Sequence, residues 1–107
     1  MASIFQLTPR AVEDLEEIWK YIAADSVDAA NRVEKALFEA FQKLAEHPHM
    51  GCIRKEITPL PVRFWTVPRY PNYIIVYRSE GTPLQMLTIL HGRRDLQACL
   101  EGIEEKG

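Results

Sequence analysis

Three short apolar runs follow one another between Val62 and Asp95: VRFWTV at 62–67, YIIVY at 73–77 and LQMLTIL at 84–90. Turn-forming residues separate them, RYPN at 69–72 and SEGTP at 79–83. Runs this short, rich in β-branched and aromatic residues and joined by short connections, predict an antiparallel meander of three strands. The last run leads into the charged sequence HGRRD at 91–95. We therefore expect the meander to form the centre of the fold and its exit to carry charge for function.

The whole chain of 107 residues reads as a single domain, 1–107. Its 47% hydrophobic and 26% charged residues are ordinary for a globular protein and argue against disorder. Two distant cysteines imply no disulfide framework, and no apolar run approaches the length of a membrane span or forms a leader peptide. We therefore predict a cytoplasmic protein that needs no cofactor.

Charge is unevenly distributed along the chain, whose formal net charge is −2. Residues 1–50 hold five basic and nine acidic residues, whereas residues 51–95 hold seven basic and three acidic ones. The segment predicted to form the sheet thus carries a net positive charge, whereas the first half of the chain carries a net negative charge. This distribution fits an acidic partner better than general binding to nucleic acid, and an evenly solvated surface is the plain alternative.

The first half of the chain predicts a strand followed by two helices. Residues 3–7 contain enough β-formers for a strand, and Thr8-Pro9 then gives a hydroxyl N-cap with proline at the first helical position. Asp25 or Ser26 caps a second, longer helix, which Pro48 ends. Because the break between the helices is short, we expect an antiparallel hairpin. The stripe of the second helix consists of Ala30, Val33, Leu37, Ala40, Phe41 and Leu44, widened by Phe38 and Ala45.

Two clusters in this half have a chemical and a structural reading. The carboxylates at Glu13, Asp14, Glu16 and Glu17 resemble an acid–base pair, but we expect them to be solvated and favoured by the helix dipole. His47, His49 and Cys52 lie within six residues, yet no second ligand pair follows them, so we predict no metal site.

Trp65 has two possible environments in the predicted sheet. The faces of its strand alternate as Val62, Phe64 and Thr66 against Arg63, Trp65 and Val67. Either Trp65 lies over a groove beside Arg63 and Val67, or the sheet is covered on both faces. Residues 54–61 form a proline-containing connector into the sheet, and Leu96, Cys99, Leu100 and Ile103 have the spacing of a short C-terminal helix.

The predicted order β-α-α-β-β-β, an α+β fold with a helical hairpin packed on an antiparallel sheet, resembles the RelE/ParE superfamily of small bacterial toxins. Three segments carry the resemblance: LTPRA with DLEEIWKYI in the first helix, LAEHPHMG at the end of the second, and ILHGRRDL at the last strand. The third segment is similar to the ParE-type, plasmid-stabilisation branch. The match covers nearly the whole chain.

The resemblance implies a cytosolic toxin of a type II toxin–antitoxin system, held silent in a hetero-oligomer by the C-terminal segment of a cognate antitoxin. It also implies one of two activities. ParE-type members poison DNA gyrase by binding and need no catalytic residues, whereas RelE-type members are mRNA endonucleases that act on the ribosome.

The residues leave both activities open and favour the first. A nuclease needs proton carriers and cations on one surface, and its candidates here are His91, Arg63 and Arg93. The nuclease branch must bind ribosomal RNA through phosphate contacts and is strongly basic, which a pI of about 5.9 does not match. We therefore predict a non-enzymatic gyrase poison, with the endonuclease as the alternative.

Partner binding is expected to use the cations and aromatic residues of the second half. At the exit, Asp95 could simply pair with a neighbouring arginine, but two adjacent arginines leave one cation for an acidic partner. The predicted partner-binding residues are Arg54, Arg63, Trp65, Arg69, Tyr73, His91, Arg93 and Arg94.

Overall fold

The computed structural model describes residues 4–92 and has the α+β architecture that the sequence predicts. Within these residues no helix is both long and apolar enough to cross a membrane. The predicted C-terminal helix, with Arg93 and Arg94 before it, lies outside the described residues. In chain order the elements are β1 (Phe5–Leu7), α1 (Pro9–Ala23), α2 (Val27–Glu46), β2 (Cys52–Ile53), β3 (Arg63–Thr66), β4 (Tyr73–Arg78) and β5 (Leu84–His91).

Both helices begin where the sequence predicts. The Thr8 hydroxyl accepts a hydrogen bond from the Ala11 amide at 3.2 Å, with Pro9 at the first helical position. The Ser26 hydroxyl accepts one from the Ala29 amide at 3.1 Å. These bonds satisfy backbone donors that a helix N-terminus leaves without partners. Ser26, rather than Asp25, is thus the cap of α2.

The five strands form one sheet in the order β1-β5-β4-β3-β2. The meander of β3, β4 and β5 is antiparallel, as predicted. β1 joins the edge of the sheet beside β5 and runs parallel to it, so that Phe5 lies opposite Leu84 and Leu7 opposite Met86. The two-residue β2 adds a further antiparallel edge beside β3. The sheet is therefore mixed, and its two edges are both short strands.

The sheet is covered on both faces. The helical hairpin covers one face, where the predicted stripe of α2 is buried around Phe41 and Leu44, each 0% exposed. On the other face, Ile57, Leu60 and Val62 of the connector pack over Phe64 and Val76. Trp65 lies on the helical side and is only half-buried. Both of the environments considered for Trp65 are thus partly realised, since a groove also runs beside it.

A β-bulge in β5 connects the sheet to α1. Val76 lies opposite Thr88, but the next residue, Tyr77, lies opposite Met86, so β5 contains one extra residue at this point. There the Thr8 hydroxyl donates to the Leu87 carbonyl at 2.8 Å. The carboxylate of Asp14 accepts hydrogen bonds from the Thr88 hydroxyl and from the Ile89 amide. Asp14 is therefore a docking contact of α1, and the expectation that it is only solvated is wrong.

Candidate partner-binding surface

Arg63 begins β3 and holds a corner of the fold together. Its guanidinium donates to the Gly51 carbonyl at 2.8 Å, to the Ser79 hydroxyl at 3.2 Å and, at 3.5 Å, to the carbonyl of His49. It also lies 3.1 Å from Nδ1 of His49, which must accept because a guanidinium has no acceptor. These contacts use most of the donors of the side chain, so Arg63 has a structural role.

Tyr77 of β4 holds the same corner through its hydroxyl group. Its hydroxyl donates to the Pro48 carbonyl at 2.7 Å and accepts from the Gly51 amide at 2.9 Å. Burial raises the pKa of Tyr77, although the Gly51 amide and Arg63 oppose the rise. A Cβ at Gly51 would lie 2.6 Å from the Tyr77 hydroxyl oxygen, so any side chain there would displace the ring. The segment HPHMG therefore forms a corner in which Gly51 is buried and both histidines are exposed. Within residues 4–92 no cluster of His, Cys, Asp or Glu is arranged to hold a metal.

His91 ends β5 and lines a groove on the helical side of the sheet, at the other end of β4 from this corner. Its exposed ring stacks on Tyr73, with centroids 4.8 Å apart and planes 20° from parallel. Burial, and secondarily Tyr21, raises the pKa of Tyr73. The groove has a volume of about 460 Å³ and is also lined by Arg10, Asp14, Glu17 and Tyr21. Two carboxylates against one guanidinium make its described wall slightly acidic.

The structure separates two of the residues considered for nuclease chemistry. Arg63 lies opposite Tyr77, whereas His91 lies opposite Tyr73, at the other end of β4. Four residues of strand correspond to about 13 Å. The third candidate, Arg93, lies outside the described residues.

Trp65 and Arg69 do come together, beside α2. They line a groove of about 260 Å³ with Lys43, Glu39 and the small residues Ala36 and Ala40 of the helix. Arg54, by contrast, forms an exposed ion pair with Glu56, whose pKa it lowers through a side-chain hydrogen bond. Sequence reasoning missed Lys43, because it lies on another element and only the tertiary fold brings it beside Trp65.

A third groove, of about 340 Å³, lies between the two helices and β1 and is mainly apolar. Val12 and Phe38 in its wall are 40% and 39% exposed. Trp19 crosses between the helices, where its indole N–H donates to the Asn31 side chain at 2.9 Å. Glu16, Lys20 and Glu34 supply charges of both signs along its lining. We call this surface the interhelical groove.

Residues 5–96 match the family described as the ParE toxin of the type II toxin–antitoxin system parDE. The chain belongs to the ParE toxin family. It is also 33% identical over 87 residues to a Sinorhizobium fredii protein named "Putative toxin Y4kP", a match that spans 81% of this chain and 85% of that protein.

A solved structure supports the fold of this ParE-type toxin. A chain of the chromosomal ParDE TA system from P. aeruginosa is similar, with a TM-score of 0.71 and 22% sequence identity. The match covers 86% of this chain and 98% of the other. The resemblance drawn from the three sequence segments is therefore confirmed at the level of family and fold.

The predicted partner-binding residues of this ParE-type toxin fall into separate places. Arg63 belongs to the corner at Gly51, Tyr73 and His91 to their own groove, and Trp65 with Arg69 to the groove beside α2. The interhelical groove was not among the predicted sites. The sequence held one signal for it, because Phe38 lies at the border of the apolar stripe of α2, where a large apolar side chain can be partly exposed.

Proposed function

We propose that this ParE-type toxin acts by binding and poisoning DNA gyrase in the cytoplasm, and that a cognate antitoxin neutralises it in a hetero-oligomer. Membership of the ParE family supports both parts of the proposal. The mode of action is inhibition by contact, in which the toxin supplies a shaped surface and breaks no bond itself.

The observation that carries this proposal is the position of Arg63. Stabilising a phosphorane requires a guanidinium whose donors point to the reacting phosphate. The guanidinium of Arg63 instead donates to Gly51, Ser79 and His49 within its own chain. A binding mode makes no such demand, since recognition needs only exposed complementary surface.

The interhelical groove suits the antitoxin. Its apolar lining with charges of both signs fits an amphipathic helix, which lays one apolar face into a hydrophobic groove. β1 borders the groove and is paired on one side with β5. Within residues 4–92 no strand is paired with its other side. An extended segment that follows the helix would add to this edge. Folding of a disordered antitoxin tail onto both features would hold the toxin silent.

The second candidate is ribosome-dependent cleavage of mRNA, and the His91 groove is the observation that favours it. Imidazole is the side chain that most often serves as a general acid or base, and Tyr73 and Arg10 line the same groove. Asp14 and Glu17 weaken this candidate, because their charges repel a phosphate. Arg93 and Arg94 stay proposed partner-binding cations under either function.

A paired assay on the purified toxin separates the two functions. One arm measures supercoiling and trapped DNA cleavage by gyrase, and the other measures cleavage of mRNA on translating ribosomes. We expect gyrase inhibition with intact mRNA, and we expect His91→Ala to keep it. Cleaved mRNA together with inactivity of a folded His91→Ala variant would instead establish the endonuclease.

A further inference from the structure

The groove beside α2 has no role in the proposed function, yet its lining residues are typical of a binding site. Trp65 forms one wall, and the opposite wall is α2, where Ala36 and Ala40 leave room for an inserted side chain. Lys43 and Arg69 stand at this groove, together with Glu39. We call it the Trp65 groove.

Its two cations have no partner in the part of the chain that the structure describes. Between residues 4 and 92, one ion pair is closer than 4 Å, and it joins Arg54 to Glu56. Within the same residues, neither Lys43 nor Arg69 donates a side-chain hydrogen bond. Glu39 is four residues before Lys43 on the same helix, a spacing that favours pairing, yet the two form no ion pair closer than 4 Å within the described residues. The groove therefore presents two free cations and one carboxylate around a half-buried indole.

We propose that the Trp65 groove binds an acidic peptide segment of a partner protein. An apolar side chain of the segment inserts between the indole of Trp65 and α2, and carboxylates on either side of it meet Lys43 and Arg69. Tryptophan and arginine are the residues that most often dominate binding energy at protein interfaces. Charge complementarity selects acidic segments over basic ones and speeds their association.

A peptide fits the groove better than a nucleic acid does. Single strands bind where several aromatic side chains stack successive bases along a basic channel. Here the walls opposite Trp65 are the alkyl groups of Ala36, Ala40 and Val67. Glu39 would repel a phosphate, whereas a peptide can place a polar amide or a basic residue beside it.

The Trp65 groove and the interhelical groove lie on opposite flanks of α2. Glu34 and Phe38 line the interhelical groove, and Ala36, Ala40 and Lys43 line the other. At 100° per residue these two sets point roughly 180° apart around the helix axis. A partner in one groove therefore leaves the other open, and this proposal holds whichever macromolecule the toxin poisons.

The two tryptophans of the chain report on the two grooves separately. Trp19 lines the interhelical groove and Trp65 lines its own. In a Trp19→Phe variant, fluorescence of Trp65 is titrated with the synthetic peptide Asp-Glu-Leu-Phe-Glu-Asp, with Lys-Lys-Leu-Phe-Lys-Lys and with oligothymidylate. In the Trp65→Phe variant the same titrations follow Trp19. Calorimetric titration of the unsubstituted toxin repeats the measurement without either replacement.

We expect the acidic peptide alone to give a saturable shift of Trp65 emission and no shift of Trp19. Lys43→Glu with Arg69→Glu should raise the dissociation constant at least tenfold, and added salt should raise it in the unsubstituted groove. Lys35→Glu, an exposed change on the same helix, is the matched control and should leave it unchanged. A shift with oligothymidylate instead, binding that survives the double charge reversal, or no binding in either measurement would overturn the proposal.

Discussion

At the scale of single residues, arginine in this fold serves two purposes that sequence alone does not separate. Arg63 begins β3 and Arg69 follows its end, and the sequence predicted a partner contact for both. Arg63 is enclosed by carbonyls of the corner at Gly51, whereas Arg69 is exposed beside Trp65. The difference arises because the corner, fixed by Tyr77, brings backbone acceptors to Arg63 alone.

Replacing Arg63 by alanine should therefore destabilise the protein. The change leaves the Gly51 carbonyl without its donor, and hydrogen bonds to charged groups contribute about 1.5–3 kcal/mol. Urea unfolding should show a loss of this size in the free energy of unfolding. Arg63→Lys should restore only part of it, because an ammonium lacks the planar fork of donors.

Arg78→Ala is the matched control, since Arg78 is a half-buried arginine on β4. Its loss should be within about 0.5 kcal/mol, as for most changes away from buried contacts. Equal losses in the two variants would contradict a specific role of Arg63.

Tyr77 should make stability dependent on alkaline pH. Its pKa in the folded state is raised above the unfolded value of about 10, so the folded protein keeps a proton that the unfolded chain releases. This contribution is fully present below about pH 10 and is lost as pH rises through the folded pKa. The pKa of Tyr73 is raised in the same direction and adds to the effect.

The substitution Tyr77→Phe should cost about 1–3 kcal/mol at neutral pH, because the Gly51 amide and the Pro48 carbonyl both lose a partner. It should also flatten part of the decline in unfolding free energy above pH 10. Tyr21→Phe, at a side chain 75% exposed, should leave stability at neutral pH unchanged and should remove only the smaller part of the alkaline decline that Tyr21 causes by raising the pKa of Tyr73. A variant with unchanged neutral stability and an unchanged alkaline profile would show that the hydroxyl is not a structural contact.

At the scale of elements, α1 is attached to the sheet through the bulge of β5. Shifting the register by one residue directs the Thr88 hydroxyl to Asp14, on the helical side of the sheet. The Ile89 amide donates to the same carboxylate at 3.0 Å. The carboxylate of Asp14 thus accepts hydrogen bonds from two donors of β5, Thr88 and Ile89. Both lie beyond residues 84–86, the part of β5 that pairs with β1.

Replacing Asp14 by alanine should lower the free energy of unfolding by about 1–3 kcal/mol, since it leaves two part-buried donors without an acceptor. Asp14→Asn keeps an acceptor oxygen and should cost less. Thermal or urea unfolding measures both, with Glu13→Ala at the exposed neighbouring position as control. A cost at Glu13 equal to that at Asp14 would mean that helix propensity and charge, rather than docking, explain the change.

Elements set by local chemistry could be predicted from the sequence, and those set by tertiary contact could not. Thr8 and Ser26 start helices because each cap is a bond between residues three apart. The meander followed from three apolar runs and two turns. The parallel pairing of β1 and the hydrogen bonds of Thr8 and Asp14 to β5 all join residues more than 70 positions apart, which no local pattern encodes.

At the scale of the whole molecule, the two grooves beside α2 give the toxin two faces that different partners can occupy. The sequence identified Trp65 and Arg69 on one of them, because an indole beside arginines is typical of interfaces. It did not identify their joint groove with Lys43, nor the interhelical groove, since both depend on how α2 packs.

Antitoxin binding should depend on the interhelical groove. We expect Val12→Glu together with Phe38→Glu to weaken the toxin–antitoxin complex at least a hundredfold, because each change puts a charge into an apolar contact. Val12 and Phe38 are 40% and 39% exposed in the free toxin, but the Phe38 ring also packs on Phe5 and Phe41. The melting temperature should therefore fall somewhat, and affinity is compared at a temperature where the double variant is folded. Calorimetric titration with the antitoxin measures the affinity, with Lys35→Glu as the control. Unchanged affinity in the folded double variant would show that the antitoxin binds another surface of the toxin.

The pairing of β1 with β5 has a consequence for synthesis. β1 is translated more than 70 residues before Leu84–Met86, the segment to which it binds. Contacts between such distant segments form only once both exist. The parallel pairing that completes the sheet beside β1 is thus absent from any nascent chain in which Leu84–Met86 have not yet been translated.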